Sequence, residues 1–369
     1  MKSIRIKAIA KKETIQVLRD PLSLAMAFLM PVLLLVIFGY AITFDINDIP
    51  AVVVDLDKSG LSREFTAEIT SSGYFSVVAY PDRYEDIDGY LDSGKARLAV
   101  MIPPDFSKKL LAARTPSVGV IIDGSDSNTA TIAEGYISGI TERFSQRMAG
   151  SRVTPLIDAR PRVWFNPELK SRNFIVPGLI ALILSVNVAL LTSLTIAKEW
   201  DRGTMEQLIS TPIKTPELII GKMIPYFVIG FIDTVVSVLM GTMVFDVPLR
   251  GSVVLLLALS GVFLFGGLSW GILISIIART QLLASQMAIL STFLPAFLLS
   301  GFMFLIANMP KALQIVTYGV PARYFVTILK DIFLKGNPLR LLAGEASLLA
   351  VYGLVVFAIA NKKFQKKVV

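Results

Sequence analysis

The segment Gly89-Tyr-Leu-Asp-Ser-Gly-Lys95 has the GxxxxGK spacing of a phosphate loop, in which backbone N–H groups cradle phosphates and the lysine reaches the outer ones. Ala96 follows, where such a loop needs Ser or Thr for magnesium, and the motif precedes a strand-like run instead of following one. It is a helix-to-strand junction with no nucleotide chemistry. Asp123-Gly-Ser-Asp126 has too few neighbouring acids to hold a cation and reads as a turn and helix cap. The chain has no cysteine and no histidine, which excludes disulfides, thiolate nucleophiles, His-based metal sites and Ser-His or Cys-His catalysis. A hydrolase inside the membrane would still need clustered acids, and the apolar runs carry none. What remains is Asn187 and Asp233, each inside a long apolar run, and the polar stretch Glu199 to Leu208 between two such runs.

The elements that must position these residues follow from composition. The chain has 369 residues, 54% of them apolar and 17% charged, with a mean hydropathy of +0.65, too apolar for an ordinary soluble protein. A bilayer needs about 20 mainly apolar residues per helix. Runs of that length are Leu22 to Phe44, Phe174 to Ala197, Met223 to Phe245, Ser252 to Ala278, Leu282 to Ala307, and Leu341 to Ala360, the last interrupted early by Glu345. The reading is an α-helical integral membrane protein with six transmembrane helices. The first run starts late, is long, and lacks a small-residue cleavage pattern, so it reads as a retained anchor.

Lys and Arg near span ends set orientation. Lys2, Arg5, Lys7, Lys11, Lys12 and Arg19 precede the first span, and Lys362, Lys363, Lys366 and Lys367 follow the last. Both termini are expected in the cytoplasm, with Lys198 to Lys222 and Arg279 on the same side and residues 45–172 outside. The net charge of +8 belongs to the membrane-associated parts: 45–172 holds 18 acidic and 15 basic residues, the remainder 10 and 21. No basic stripe with interleaved aromatics stands clear of the apolar runs, so nucleic acid is not an expected partner. Residues 307–340 would lie outside despite Lys311, Arg323, Lys330, Lys335 and Arg340. Their mixture of apolar and basic positions (Leu313, Ile315, Val316, then Tyr324, Phe325, Ile328, Leu329) predicts short amphipathic helices at the interface or re-entering it.

Residues 45–172 have ordinary globular composition and suffice for one domain. Strand-like runs (Ala51 to Val54, Phe75 to Ala79, Leu98 to Ile102, Val118 to Ile122) alternate with helix-like ones (Ser59 to Thr70 with Ser59 as N-cap, Tyr84 to Leu91, Pro104 to Ala113, Ser127 to Met148). An α/β extracytoplasmic domain inserted between the first two membrane helices is expected. Its tail, Pro155 to Pro167 with PRVWFNP, should return as an extended strand.

An ionisable group deep in a bilayer costs about 2.5–3.5 kcal/mol on insertion scales and normally faces protein or water. Asp233 and Asn187 are therefore candidates for a translocation path; the alternative is an Asp233 that hydrogen-bonds a neighbouring helix or stays protonated at an interface. Gly267-Leu-Ser-Trp-Gly271 is a GxxxG pattern that permits close helix approach, and Pro225 and Pro295 can kink their spans. In 198–217, Asp201-Arg202-Gly203 signals a turn, Thr204 can cap a short helix, Met205, Leu208 and Ile209 give it an apolar edge, and Pro216 suits the first turn of the next helix. Over 198–222, Lys198, Arg202, Lys214 and Lys222 are balanced by Glu199, Asp201, Glu206 and Glu217, a balance that a bare topology signal does not need. A partner docking on Glu199, Asp201, Arg202, Gly203, Thr204, Met205, Glu206, Gln207 and Leu208 is expected, with the Met205 and Leu208 edge facing it.

The chain resembles the permease subunits of ABC-2 type export systems, in the bacterial multidrug-efflux branch with a large domain after the first span. The resemblance rests on Arg19-Asp-Pro21, IPPDFSKKL (Ile102 to Leu110), DGSDSNTATIAEGY (Asp123 to Tyr136), WFNPELKSRNFIVPGLI (Trp164 to Ile180), KEWDRGTMEQLISTPI (Lys198 to Ile213), and SGF followed by NMPKALQIVTYGVPARYF (Ser300 to Phe302, Asn308 to Phe325). Trp200 stands where such proteins often carry a charged or polar residue. The resemblance implies a non-catalytic subunit of a bacterial inner membrane without a cofactor of its own. It implies a second permease chain, identical or homologous, and cytoplasmic ABC ATPase subunits that bind ATP and Mg²⁺. Glu199 to Leu208 would be the ATPase-coupling region, and residues 1–21 an amphipathic helix (Ile4, Ala8, Ile15, Leu18) along the inner interface. The cargo would be amphipathic or hydrophobic compounds, with a periplasmic adaptor as a further partner. Two other readings remain. A secondary transporter would want paired intramembrane acids or an inverted repeat, and neither is visible. A ligand sensor or scaffold acting through the outer domain would fit the topology but lacks a cytoplasmic signalling module.

Overall fold

Prolines and glycines set where the helices of this chain begin, break and end. The computed structural model describes residues 2–41, 48–112, 114–124, 127–149 and 170–364. The upper end of the first expected span, Asp126, the expected strand of Pro155 to Pro167, and Lys366 and Lys367 lie outside the described residues. The chain divides into two compact units, Met1–Thr43 with Val163–Val369, and Phe44–Arg162.

The chain opens with helix α1 (Ser3–Leu18), then α2 (Pro21–Leu24), a wide π-turn at Ala25–Leu29, and α3 (Met30–Ala41). Pro21 supplies a preset first turn and Pro31 removes a backbone donor from the run, which is why the first apolar helix is broken. The stretch Ala25–Ala41 is apolar but shorter than the other spans.

The second unit runs β1 (Ile49–Asp55), α4 (Gly60–Ser71), β2 (Phe75–Ala79), α5 (Ile87–Asp92), β3 (Leu98–Ile102), α6 (Phe106–Leu111), β4 (Gly119–Ile122) and α7 (Ser127–Ala149). The sheet order is β2-β1-β3-β4, with β1 parallel to β2 and β3, and β4 antiparallel to β3. Side chains alternate across a strand, so Ala51 and Val53 enter a core with Phe65, Phe106, Ile137 and Phe144, while Val52 and Val54 enter one with Ile87, Ala96 and Ala99. Covered on both faces, β1 and β3 read as unbroken apolar runs. Ser59 caps α4 as expected: its Oγ accepts from Ser62 N–H at 3.1 Å, and its own N–H donates to Ser62 Oγ at 3.0 Å. The GxxxxGK segment closes α5, turns at Gly94 (φ +69°), and buries Ala96 at the entry to β3.

The membrane unit resumes with α8 (Ser171–Asp201), the short α9 (Met205–Ile209), α10 (Thr215–Met243), α11 (Val253–Ala278), α12 (Gln281–Leu299), α13 (Lys311–Thr317), α14 (Pro321–Lys330) and α15 (Leu339–Lys363). Among the described residues, five helices are long and apolar enough to cross a membrane: α8, α10, α11, α12 and α15. Buried residues cover every side of α8, whereas α12 and α15 leave Leu290, Leu294, Val351 and Leu354 exposed, as lipid-facing helices do.

One expected boundary is corrected. The run to Ala307 stops being helical at Leu299, because Gly301 takes a left-handed φ of +78° and turns the chain. Residues 307–340 form α13 and α14 bent by 82°, the second continuing to Lys335 as a π-turn. Their apolar residues divide: Leu313, Ile315 and Val316 on α13 are exposed, while Tyr324, Phe325, Ile328 and Leu329 on α14 are buried in the bundle.

The GxxxG of α11 finds its partner in α8. A Cβ on Gly271 would lie 2.0 Å from Thr192 Oγ1 and 2.5 Å from the Ala189 carbonyl oxygen, so the two backbones meet there.

Candidate coupling site

α8 does not end with the apolar run; Glu199, Trp200 and Asp201 are its last turn. Gly203, at φ +70°, then reverses the chain into α9, a conformation that any side chain would strain. The turn expected at Asp201-Arg202-Gly203 therefore lies one residue later, at Arg202, Gly203 and Thr204. Thr204 does not cap α9 through its side chain; its hydroxyl donates to the Glu199 carboxylate.

Glu199, expected on the docking surface, lies instead at the centre of a buried ionic network. Lys222 Nζ on α10 lies 3.2 Å from Glu199 Oε1 and 2.8 Å from Glu13 Oε2 on α1, and donates to the Thr195 carbonyl at 3.3 Å. Lys12 donates to Glu199 at 2.9 Å, and the Tyr226 hydroxyl donates to Glu13 at 3.1 Å. Lys222, Glu13 and Glu199 are each at most 3% exposed. Buried charges persist only when paired and hydrogen-bonded, and here two acids meet two lysines. The network ties α1, the end of α8, the start of α9 and the start of α10 into one body.

Glu217 is likewise committed within the chain. Its carboxylate accepts from the backbone N–H of Lys2 at 2.8 Å and of Lys214 at 3.0 Å, and pairs with Arg5 at 3.4 Å. The N-terminal ends of α1 and α10 thus converge on one anion, the charge a helix N-terminus favours. A third tie joins Lys198 to Asp20 at 2.6 Å. The hydrogen bond from Lys198 holds the Asp20 carboxyl down at about 2, so this carboxylate stays ionised at any physiological pH.

The apolar edge expected to face a partner is turned inward. Met205 is 1% exposed in the chain's own core, with Leu208 packed against the same cluster. What α9 and its turn show to solvent is Asp201, Arg202, Gly203, Glu206 and Gln207. The loop between α11 and α12 braces this surface: Gln281 donates to Asp201 at 2.8 Å, and the Arg279 guanidinium lies 5.3 Å from the centre of the Trp200 ring.

On α1, the face of Ile9, Glu13 and Val17 packs inward, with Ile9 against Gly221 of α10. Ile4, Ile15 and Leu18 of the expected amphipathic stripe stay exposed on the other face. Glu13, Lys222 and Tyr226 were not singled out by the sequence reading. Their signal was there: Glu13 is one acid on the stripe Ile9, Glu13, Val17, and Lys222 one cation at the mouth of an apolar run.

Asn187 and Asp233, the candidates for a path, are partners of each other. Asn187 Nδ2 donates to Asp233 Oδ2 at 2.6 Å and to the Ala27 carbonyl at 3.1 Å. Both are buried, and neither lines the cavity of about 160 Å³ bordered by Ser185, Phe263, Trp270, Ser291, Pro321 and Tyr352.

The profile of the ABC-2 family transporter proteins matches residues 21–362. The chain is 42% identical over 337 residues to the probable multidrug ABC transporter permease YbhS of Escherichia coli (strain K12), covering 90% of this chain and 89% of that one. To the probable multidrug ABC transporter permease YbhR of the same strain it is 30% identical over 368 residues, 99% of each chain. It is also 29% identical over 335 residues to the inner membrane transport permease YhhJ of that strain, covering 88% of this chain and 87% of the relative.

Proposed function

The chain belongs to the ABC-2 family of transporter proteins, and from that premise we propose that it is the non-catalytic membrane subunit of an ATP-driven exporter. ATPase subunits on separate chains dock on the solvent face of Asp201, Arg202, Glu206 and Gln207. A second permease chain, identical or homologous, completes the pathway. The cargo class is amphipathic or hydrophobic compounds leaving the cytoplasm or inner leaflet, a reading supported by the multidrug names of YbhS and YbhR.

The single observation that carries the coupling role is the network under α9. With Met205 keyed into the core and Thr204 bonded to Glu199, a push on the exposed face cannot be absorbed by bending α9 alone. It passes through Glu199 and Lys222 to α8, α10 and α1 as one movement. The chain would cross the membrane six times, with the Lys- and Arg-rich termini in the cytoplasm. Phe44–Arg162 would then stand outside, available to a periplasmic adaptor.

The test is co-purification with a neighbouring-gene ATPase and drug-stimulated ATP hydrolysis in lipid. Removing the Arg202 and Glu206 side chains together should cut stimulated hydrolysis about tenfold, equivalent to about 1.4 kcal/mol of lost docking energy, while leaving the permease folded. Association and hydrolysis unaffected by that double change, or no associating ATPase, would overturn the reading.

A further inference from the structure

Pro31 creates a vacancy that three spans are built to fill. In an α-helix the Ala27 carbonyl accepts from the residue four positions on, which is Pro31, and proline has no N–H. The chain widens there: Met30 N–H reaches back five residues to the Ala25 carbonyl, and Ala25–Leu29 forms a π-turn. The Ala27 carbonyl receives its bond from Asn187 Nδ2 on α8 at 3.1 Å, and the second proton of that amide goes to Asp233 on α10 at 2.6 Å. Ala27, Asn187 and Asp233 are all buried.

We propose that Pro31, Asn187 and Asp233 form a hinge device: Asn187 is the surrogate donor that holds the π-turn open, Asp233 orients its amide, and the first span flexes at this turn during transport. Freed carbonyls in membrane helices are commonly re-satisfied by neighbouring helices, and π-turns concentrate at functional sites. The geometry here adds direction. Below the turn, Asp20 fixes α2 to Lys198 at the coupling end. Above it, α3 leads in the chain to the second unit. A hinge between them lets the lower half follow the coupling end of α8, while α3 stays packed along the rest of that helix. Asn187 is thus a positioning residue, and Asp233 needs no cargo to explain its place in the bundle.

The flexing rests on the exporter reading; the staple does not. The test therefore uses two readouts on the full chain: thermal melting of purified protein, and drug efflux from cells with the ATPase present. Asn187→Leu should lower the melting temperature by roughly 5 °C, and in a Pro31→Ala background, where residue 31 can donate to Ala27, the loss should be about half as large. If Asn187→Leu fails to fold, Asn187→Ser gives the same cycle. Pro31→Ala alone should keep or raise the melting temperature and cut efflux by about fivefold, on the order of 1 kcal/mol in a barrier. Equal losses in both backgrounds overturn the staple, and normal efflux by Pro31→Ala overturns the hinge. Wild-type protein without efflux would count against the exporter reading alone, and the melting cycle would still decide the staple.

Discussion

Lys222→Met is expected to destabilise the protein by about 3–5 kcal/mol, the range for breaking a buried ion pair from one side. The substitution keeps the volume and strands Glu13 and Glu199 with only Lys12 to offset them. The melting temperature of purified protein should fall steeply. ATP hydrolysis by the assembled complex should lose its response to drugs even in the fraction that folds, because α10 is no longer tied to Glu199 and the turn before α9. Adding Glu13→Gln should recover part of the loss, since the carboxamide still accepts from Tyr226. A single substitution that melts like the wild type would mean that the network is not buried as described.

Gly271→Val is the second large effect. Any Cβ there meets the Ala189 carbonyl oxygen at 2.5 Å, and backbone cannot rotate away as the Thr192 hydroxyl can. α8 and α11 must separate along their contact, and overpacking of this kind costs about 1–3 kcal/mol or more. Gly267→Ala is the internal control, because its Cβ would reach Val188 Cγ1 at an ordinary 3.4 Å. The expected outcome is little folded, monodisperse protein for Gly271→Val and near-normal yield for Gly267→Ala. Equal yields would show that the close approach at Gly271 is not needed.

How much was legible in the sequence depended on whether a feature was periodic or positional. The strands β1 to β4 and the Ser59 cap followed from alternation and cap chemistry within a residue or two, because a half-buried or buried strand states its pattern locally. Five of the apolar runs did become long helices, though with different ends, and the first is broken near Pro21 and Pro31. The coupling region was found by its balance of charges, but those charges were read as a docking surface. Glu199 and Glu217 balance Lys222, Lys12 and the N-terminal end of α1, partners that lie up to 215 positions away in sequence. No local pattern announces a pairing of that kind. The same holds for Asp233, which looked solitary only because Asn187 is on another helix. The inward turn of Met205 follows from Gly203, whose left-handed φ sets which side of α9 meets the core.

The absence of native cysteine makes the central claim directly measurable. Single cysteines at Glu206, Gln207 and Met205, each placed by substitution in otherwise unaltered protein, can be cross-linked to the ATPase in membranes with and without ATP. Glu206→Cys and Gln207→Cys should cross-link and change their yield with ATP, while Met205→Cys, facing the chain's own core, should not. Cross-linking through position 205 with none through 206 and 207 would contradict the coupling account.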